Sequence, residues 1–130
     1  MTERQAHWLK GKRVLIVEDD ALFAEALTAN LEDRGCQVAG PVASLAQGLY
    51  MAEWTFFDGA ILDIEIEGGT CFPIAMQLKG RGIPFVFLTG LGKPAVPDAL
   101  RRVPVLAKPL DDAVLDAAAR ELVLRSRPSL

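Results

Sequence analysis

The chain has 130 residues, 51% of them hydrophobic and 24% charged, with a formal net charge of −3. That is apolar material enough for the core of one domain and too much for a disordered chain. The acidic balance argues against a nucleic-acid binder, which carries a basic face. Two cysteines without CxxC spacing, Cys36 and Cys71, and a lone His7 argue against zinc. No apolar run approaches the roughly 20 residues that cross a bilayer, and the opening MTERQAHWLKGKR lacks the apolar stretch of a signal peptide. A cytoplasmic protein with reduced thiols is expected, with no membrane partner.

Residues 1–12 read as a polar leader. Val14-Leu15-Ile16-Val17 is apolar without alternation, the mark of a central parallel strand buried on both faces. It ends at Glu18-Asp19-Asp20, where Asp20 is placed to cap a helix with Phe23, Leu27 and Leu31 on one face, stopped by Gly35. Gln37–Gly40 is a short second strand closed by Pro41. Ser44 and Gln47 have the spacing of a capping box for a helix reaching about Trp54, with Leu45, Leu49 and Ala52 inward. Ala60-Ile61-Leu62-Asp63 is the third strand. Gly68-Gly69 turn the chain toward a helix near Phe72–Lys79, with Pro73 in its first turn. Pro84–Leu88 is a fourth strand ending at Thr89. Residues 91–102 are broken by glycine and proline, with room for a short helix only at Asp98–Arg102. Val103–Ala107 is a fifth strand, and Pro104 puts it at a sheet edge. Asp111 caps a last helix to about Arg125, with Val114, Ala118 and Leu122 inward. Residues 126–130 are a tail. Trp8, Trp54, Phe56 and Phe57 read as packing residues, and the two cysteines as small buried hydrophobes.

Strand–helix alternation with short connections predicts an α/β fold: a doubly wound (βα)5 parallel sheet with helices on both faces and a shortened or irregular fourth helix. In the order 2-1-3-4-5, strands 1, 3, 4 and 5 lie side by side and their carboxyl ends share one edge. That edge collects Glu18, Asp19, Asp63, Thr89 and Lys108. Clustered carboxylates repel unless a cation or proton intervenes. An all-oxygen acidic site suits Mg²⁺, or Mn²⁺, rather than zinc. A lysine and a threonine opposite such a metal fit a phosphoryl group, and a carboxylate can itself be the nucleophile.

The motifs Val-Leu-Ile-Val-Glu-Asp-Asp, Ile-Leu-Asp, Phe-Leu-Thr-Gly and Ala-Lys-Pro, in this order, resemble the receiver domain of two-component response regulators over residues 13–125. The resemblance implies a flavodoxin-like fold of the CheY type. It implies that Asp63 accepts a phosphoryl group from a histidine kinase or a histidine phosphotransfer protein. Thr89 and Lys108 would contact that group. Mg²⁺ would be held by Glu18, Asp19, Asp63 and the backbone carbonyl of Glu65, and the Lys108–Pro109 bond would be cis. Gly-Gly-Thr-Cys-Phe-Pro-Ile-Ala and Pro-Phe-Val-Phe-Leu-Thr-Gly are similar to the stand-alone alphaproteobacterial FAT GUY subgroup, with Leu88 where that motif has alanine.

Two departures stand out. Glu18 replaces the commoner aspartate, and Val105 stands where an aromatic switch residue is usual. With no room for an effector domain, the expectation is a single-domain phosphorelay regulator, a monomer or weak homodimer that is not an enzyme in the metabolic sense. Output would come through a protein target, or the domain would act as a phosphate relay or sink. The alternatives are a protein-binding pseudo-receiver that needs no phosphorylation and a small Mg²⁺-dependent phosphatase with Asp63 as nucleophile.

Overall fold

The computed structural model describes residues 9–90 and 95–125, with side chains described to residue 122. His7, Trp8, Leu91 and the tail 126–130 lie outside the described residues. In chain order the elements are β1 (Arg13–Val17), α1 (Ala21–Asp33), β2 (Gln37–Val42), α2 (Leu45–Trp54), β3 (Gly59–Asp63), a hairpin of β4 (Glu65–Ile66) and β5 (Gly69–Thr70), α3 (Phe72–Gly80), β6 (Phe85–Thr89), β7 (Val105–Ala107) and α4 (Asp112–Arg125). The five long strands form one parallel sheet in the order β2-β1-β3-β6-β7, the expected doubly wound arrangement. The proline-bearing β7 lies at its edge.

Each central strand feeds two cores because successive side chains alternate across the sheet. Leu15, Val17, Leu62 and Phe87 pack with Ala52 of α2 and with Ile74 and Leu78 of α3 on one face. Val14, Ile16, Ile61 and Val86 pack with Leu27 and Leu31 of α1 and Leu115, Ala118 and Leu122 of α4 on the other. Leu9 of the polar leader is buried in this second core. The inward stripe of α4 includes Leu115 and Ala119, with the expected Val114 half-buried.

The helix ends explain where the chain turns. Asp20 Oδ1 accepts from the Phe23 N–H at 3.1 Å. Ser44 Oγ accepts from the Gln47 N–H at 3.1 Å, while Gln47 Oε1 takes the Ala43 N–H at 3.2 Å, satisfying backbone donors that a helix start leaves open. α1 closes with Cys36 N–H on Leu31 O and Gly35 N–H on Glu32 O, the paired bonds of a Schellman motif. α3 closes alike through Ile83 and Gly82. Arg81, just past α3, donates Nη1 to the carbonyls of Ala52 and Thr55 and so caps the end of α2.

Several expectations change. β2 does not stop at Pro41 but runs to Val42 through a cis Gly40–Pro41 bond and a register shift against β1. Proline is admitted there because β2 is an edge strand. Gly40 has φ 87°, and a Cβ on it would meet Val42 N at 2.8 Å. A hairpin, β4–β5, replaces a plain loop after Asp63, with Gly68 supplying the positive φ of its turn (94°). The short helix expected at Asp98–Arg102 is a single 3₁₀ turn, Asp98–Leu100, and the fifth strand begins at Val105. Trp54 and Phe56 are not packing residues: they are 69% and 62% exposed. With Ala52 inward, Trp54 falls on the outer face of α2. Past the helix, Phe56 stays in solvent and Phe57 alone enters the core.

Candidate functional site

Strand register assembles the site. Val17 pairs with Leu62, which brings Glu18 abreast of Asp63. Asp63 pairs with Leu88, which sets Thr89 one step beyond. Thr89 pairs with Ala107, so Lys108 follows on the next strand, its N–H donating to Thr89 O at 2.9 Å. A slip of one residue in any strand would turn its functional group to a core face.

Glu18 and Asp63 are 2% and 6% exposed, whereas Asp19 is exposed at the mouth. One oxygen from each of the three acids lies within 4.8 Å of the others. Lys108 lies between the two buried acids. Its Nζ donates to Asp63 Oδ2 at 3.2 Å and forms an ion pair with Glu18 Oε1. Its Nζ also stands 4.6 Å from the centre of the Phe23 ring. Glu18 Oε2 accepts from the Asp20 N–H at 3.2 Å. Thr89 is half-buried and Glu65 exposed. Glu65 enters the hairpin directly after Ile64, whose N–H donates to Leu88 O and whose carbonyl accepts from Cys71 N–H. The hairpin is tied to the start of α2 by Leu45 N–H on Glu67 O at 2.8 Å. Lys108–Pro109 is cis.

The charges are unequally settled. Burial, followed by the neighbouring Glu18, pushes the Asp63 carboxyl up to about 7, against the pull of Lys108. Burial also raises Glu18, but hydrogen bonds involving Asp63, Lys108 and the Asp20 N–H outweigh it, leaving Glu18 below its ordinary range. Burial depresses Lys108, and both acids more than compensate, so it stays charged. Two buried acids therefore share one lysine, and a proton on Asp63 takes up the excess charge. Glu18 Oε1 is buried, and its partner is the Lys108 ammonium. Two buried carboxylates and an exposed third acid, each offering an oxygen close to the others, are the donor set a hard divalent cation needs.

The site combines Glu18, Asp19, Asp63, Thr89 and Lys108 as the sequence places them. What sequence reading missed is Phe23, which counted only as part of the α1 core stripe. An aromatic at a core-facing position gives no signal that its ring will meet a lysine on a distant strand.

Comparison with known proteins decides the family. The sequence model of the response regulator receiver domain matches residues 14–120. This chain is a response regulator receiver domain. Among solved structures the receiver is similar to SdrG from Sphingomonas melonis Fr1, with 37% identity over 86% of this chain and 96% of that one and a TM-score of 0.76. It is also similar to SdrG in a BeF3-activated conformation, at 38% identity over 85% and 95% and a TM-score of 0.72. The receiver domain of the sensor histidine kinase PA1611 from Pseudomonas aeruginosa PAO1, solved with magnesium in its active-site cleft, shares the fold at 22% identity over 87% and 98%, with a TM-score of 0.70. No curated protein matches the receiver's sequence.

Proposed function

We propose that this receiver is a Mg²⁺-dependent phosphoryl acceptor, modified on Asp63 by a histidine kinase or a histidine phosphotransfer protein. It works as a cytoplasmic, protein-binding switch or as a phosphate relay or sink, not as a metabolic enzyme. The observation that carries this reading is the buried Asp63 carboxyl between Glu18 and Lys108, with Asp19 at the mouth. The BeF3-activated form of SdrG and the magnesium in the PA1611 cleft support it by similarity.

An oxygen of Asp63 attacks the phosphorus of a phosphohistidine. The new O–P bond forms as the P–N bond breaks, and its electron pair returns to the donor imidazole. Lys108 releases Asp63 Oδ2 and pairs with a phosphoryl oxygen, and the Thr89 hydroxyl donates to another. Glu18, Asp19, Asp63 and the Glu65 carbonyl would hold Mg²⁺, which when bound keeps Asp63 ionised and offsets phosphoryl charge. Glu18 reaches one methylene further than aspartate, and the Asp20 N–H holds its second oxygen in place.

The test is incubation with Mg²⁺ and acetyl phosphate followed by intact-mass measurement. Wild type should gain one phosphoryl group, and both Asp63→Ala and an EDTA-treated sample should gain none. An unmodified wild type, or an undiminished gain in Asp63→Ala, overturns the reading.

A further inference from the structure

Four interactions close a ring beside the nucleophile. Asp20 N–H donates to Glu18 Oε2, and Asp20 Oδ1 accepts from Phe23 N–H. The Phe23 ring receives the Lys108 ammonium on its face, 4.6 Å from centroid to Nζ. Lys108 returns to Glu18 through the ion pair with Oε1. The cap that starts α1 thus fixes the ring that faces the lysine. Phe23 is half-buried against the core shared by α1 and α4, and Leu106, two residues before Lys108, packs on that same core. The adjacent Leu22 is 80% exposed, so this turn of α1 sends one large apolar side chain inward, and it lands on the ammonium.

We propose that Phe23 is a positioning residue for phosphoryl transfer, its ring holding the Lys108 ammonium over the site when the carboxylates let it go. This rests on the phosphoryl-acceptor reading above. Lys108 now contacts Glu18 Oε1 and Asp63 Oδ2, the oxygens that must turn to other partners when the site is loaded. The ring face, unlike the carboxylates, is not a metal or phosphoryl ligand, so it keeps its hold on the ammonium when the site is loaded. It attracts a cation through its quadrupole, and the attraction strengthens where water is thin. Without it, the ammonium on its flexible stem spends more time in solvent and less against the incoming phosphoryl oxygens.

The test compares Phe23→Leu, which keeps apolar bulk without a π face, with Phe23→Tyr, which keeps the face. In wild type free of metal, the Lys108 ε-methylene protons should appear upfield in NMR through the ring current, with Lys108→Arg identifying the signal. The shift should vanish in Phe23→Leu and survive in Phe23→Tyr. Phosphorylation by acetyl phosphate at saturating Mg²⁺ should slow about tenfold in Phe23→Leu, the size of a partly desolvated cation–π contact, and recover in Phe23→Tyr. Mg²⁺ affinity, from backbone amide shifts, should not weaken in Phe23→Leu, because a less confined ammonium opposes the divalent ion less. No upfield shift in wild type, an unslowed Phe23→Leu, a slow Phe23→Tyr, or Mg²⁺ affinity lost in step with rate each overturns the positioning role. A wild type that never gains a phosphoryl group fails the acceptor reading itself, whereas a phosphorylated wild type matched by Phe23→Leu fails only the role of Phe23.

Discussion

The two flanks of β3 meet at Asp63 and are built in opposite ways. On the β1 flank the sheet edge is buried and charged. Glu18 is sunk beside Asp63, its oxygens held by the Asp20 N–H and the Lys108 ammonium, and a capped α1 begins three residues later. On the β6–β7 flank a single 3₁₀ turn is the described structure leading to a three-residue edge strand, and Val105 stands 40% exposed where receivers usually carry an aromatic. The second buried acid comes from one flank, Thr89 and Lys108 reach the site from the other, and the described connection leading to β7 is thin. Under the proposed acceptor role, the contrast implies that acceptance and readout are separable here. The first depends on buried electrostatics that tolerate little change. The second cannot use a rotating ring at position 105 and must work through Thr89, Lys108 or the connection before β7.

The contrast is broken most severely by removing the cation that the buried flank is built around. Lys108→Ala leaves Glu18 and Asp63 facing each other with no counter-charge. Truncating one partner of a buried charged network costs about 3 kcal/mol, the lower part of the usual range because burial favours a proton on Asp63. Urea unfolding without metal should show that loss at pH 7, and millimolar Mg²⁺ should restore most of it. A variant as stable as wild type in EDTA would mean that Lys108 does not neutralise this pair.

A second effect should appear in wild type as a pH trend. The native Asp63 carboxyl is raised from 3.8 to about 7. Between these values the unfolded chain releases this proton and the native state keeps it. Stability in EDTA therefore falls as pH rises from about 4 to 7 and levels off above. Glu18 has the opposite sign, since its native value is lowered from 4.5. Its contribution is present above that value and is lost only at lower pH, so it does not mask the trend. Mg²⁺ should flatten the curve by favouring the ionised Asp63. Thermal unfolding from pH 4.5 to 8, with and without Mg²⁺, checks both halves, and a metal-free curve rising through that window contradicts the raised Asp63.

How much of this was legible in the sequence depended on whether the signal was local. Uninterrupted apolar runs marked β1, β3 and β6, and Ser44 with Gln47 marked the start of α2. Placing Glu18, Asp63, Thr89 and Lys108 together needed those runs, the proline-bearing fifth strand and the rule that parallel strands end on one edge. What escaped lay between segments. β2 passes through Pro41 because the edge of the sheet makes no demand for the missing N–H. The β4–β5 hairpin is too short to show a period, and its anchor is the carbonyl of Glu67 beneath Leu45. Trp54 and Phe56 face solvent because their neighbours Ala52 and Phe57 take the inward positions, a competition that hydrophobicity alone does not rank. Phe23 meets Lys108 only through tertiary packing.

The smallest effect is expected at Val105, and it tests the open flank directly. Val105 pairs with Phe87 across the β6–β7 ladder, yet Phe87 is fully buried against Phe72 and Phe85 while Val105 is exposed. In a parallel pair the two side chains share a face, so Val105 points to the side that a helix between β6 and β7 would cover. The buried Leu100 and half-buried Val103 pack into the core there instead. Val105→Ala should therefore change stability by less than about 0.5 kcal/mol, the range of surface substitutions, and leave the extent of Asp63 phosphorylation unchanged. A loss of several times that size, or a change in phosphorylation that Mg²⁺ does not offset, would show Val105 packed and coupled to the site after all, and the separation between the two flanks would fail.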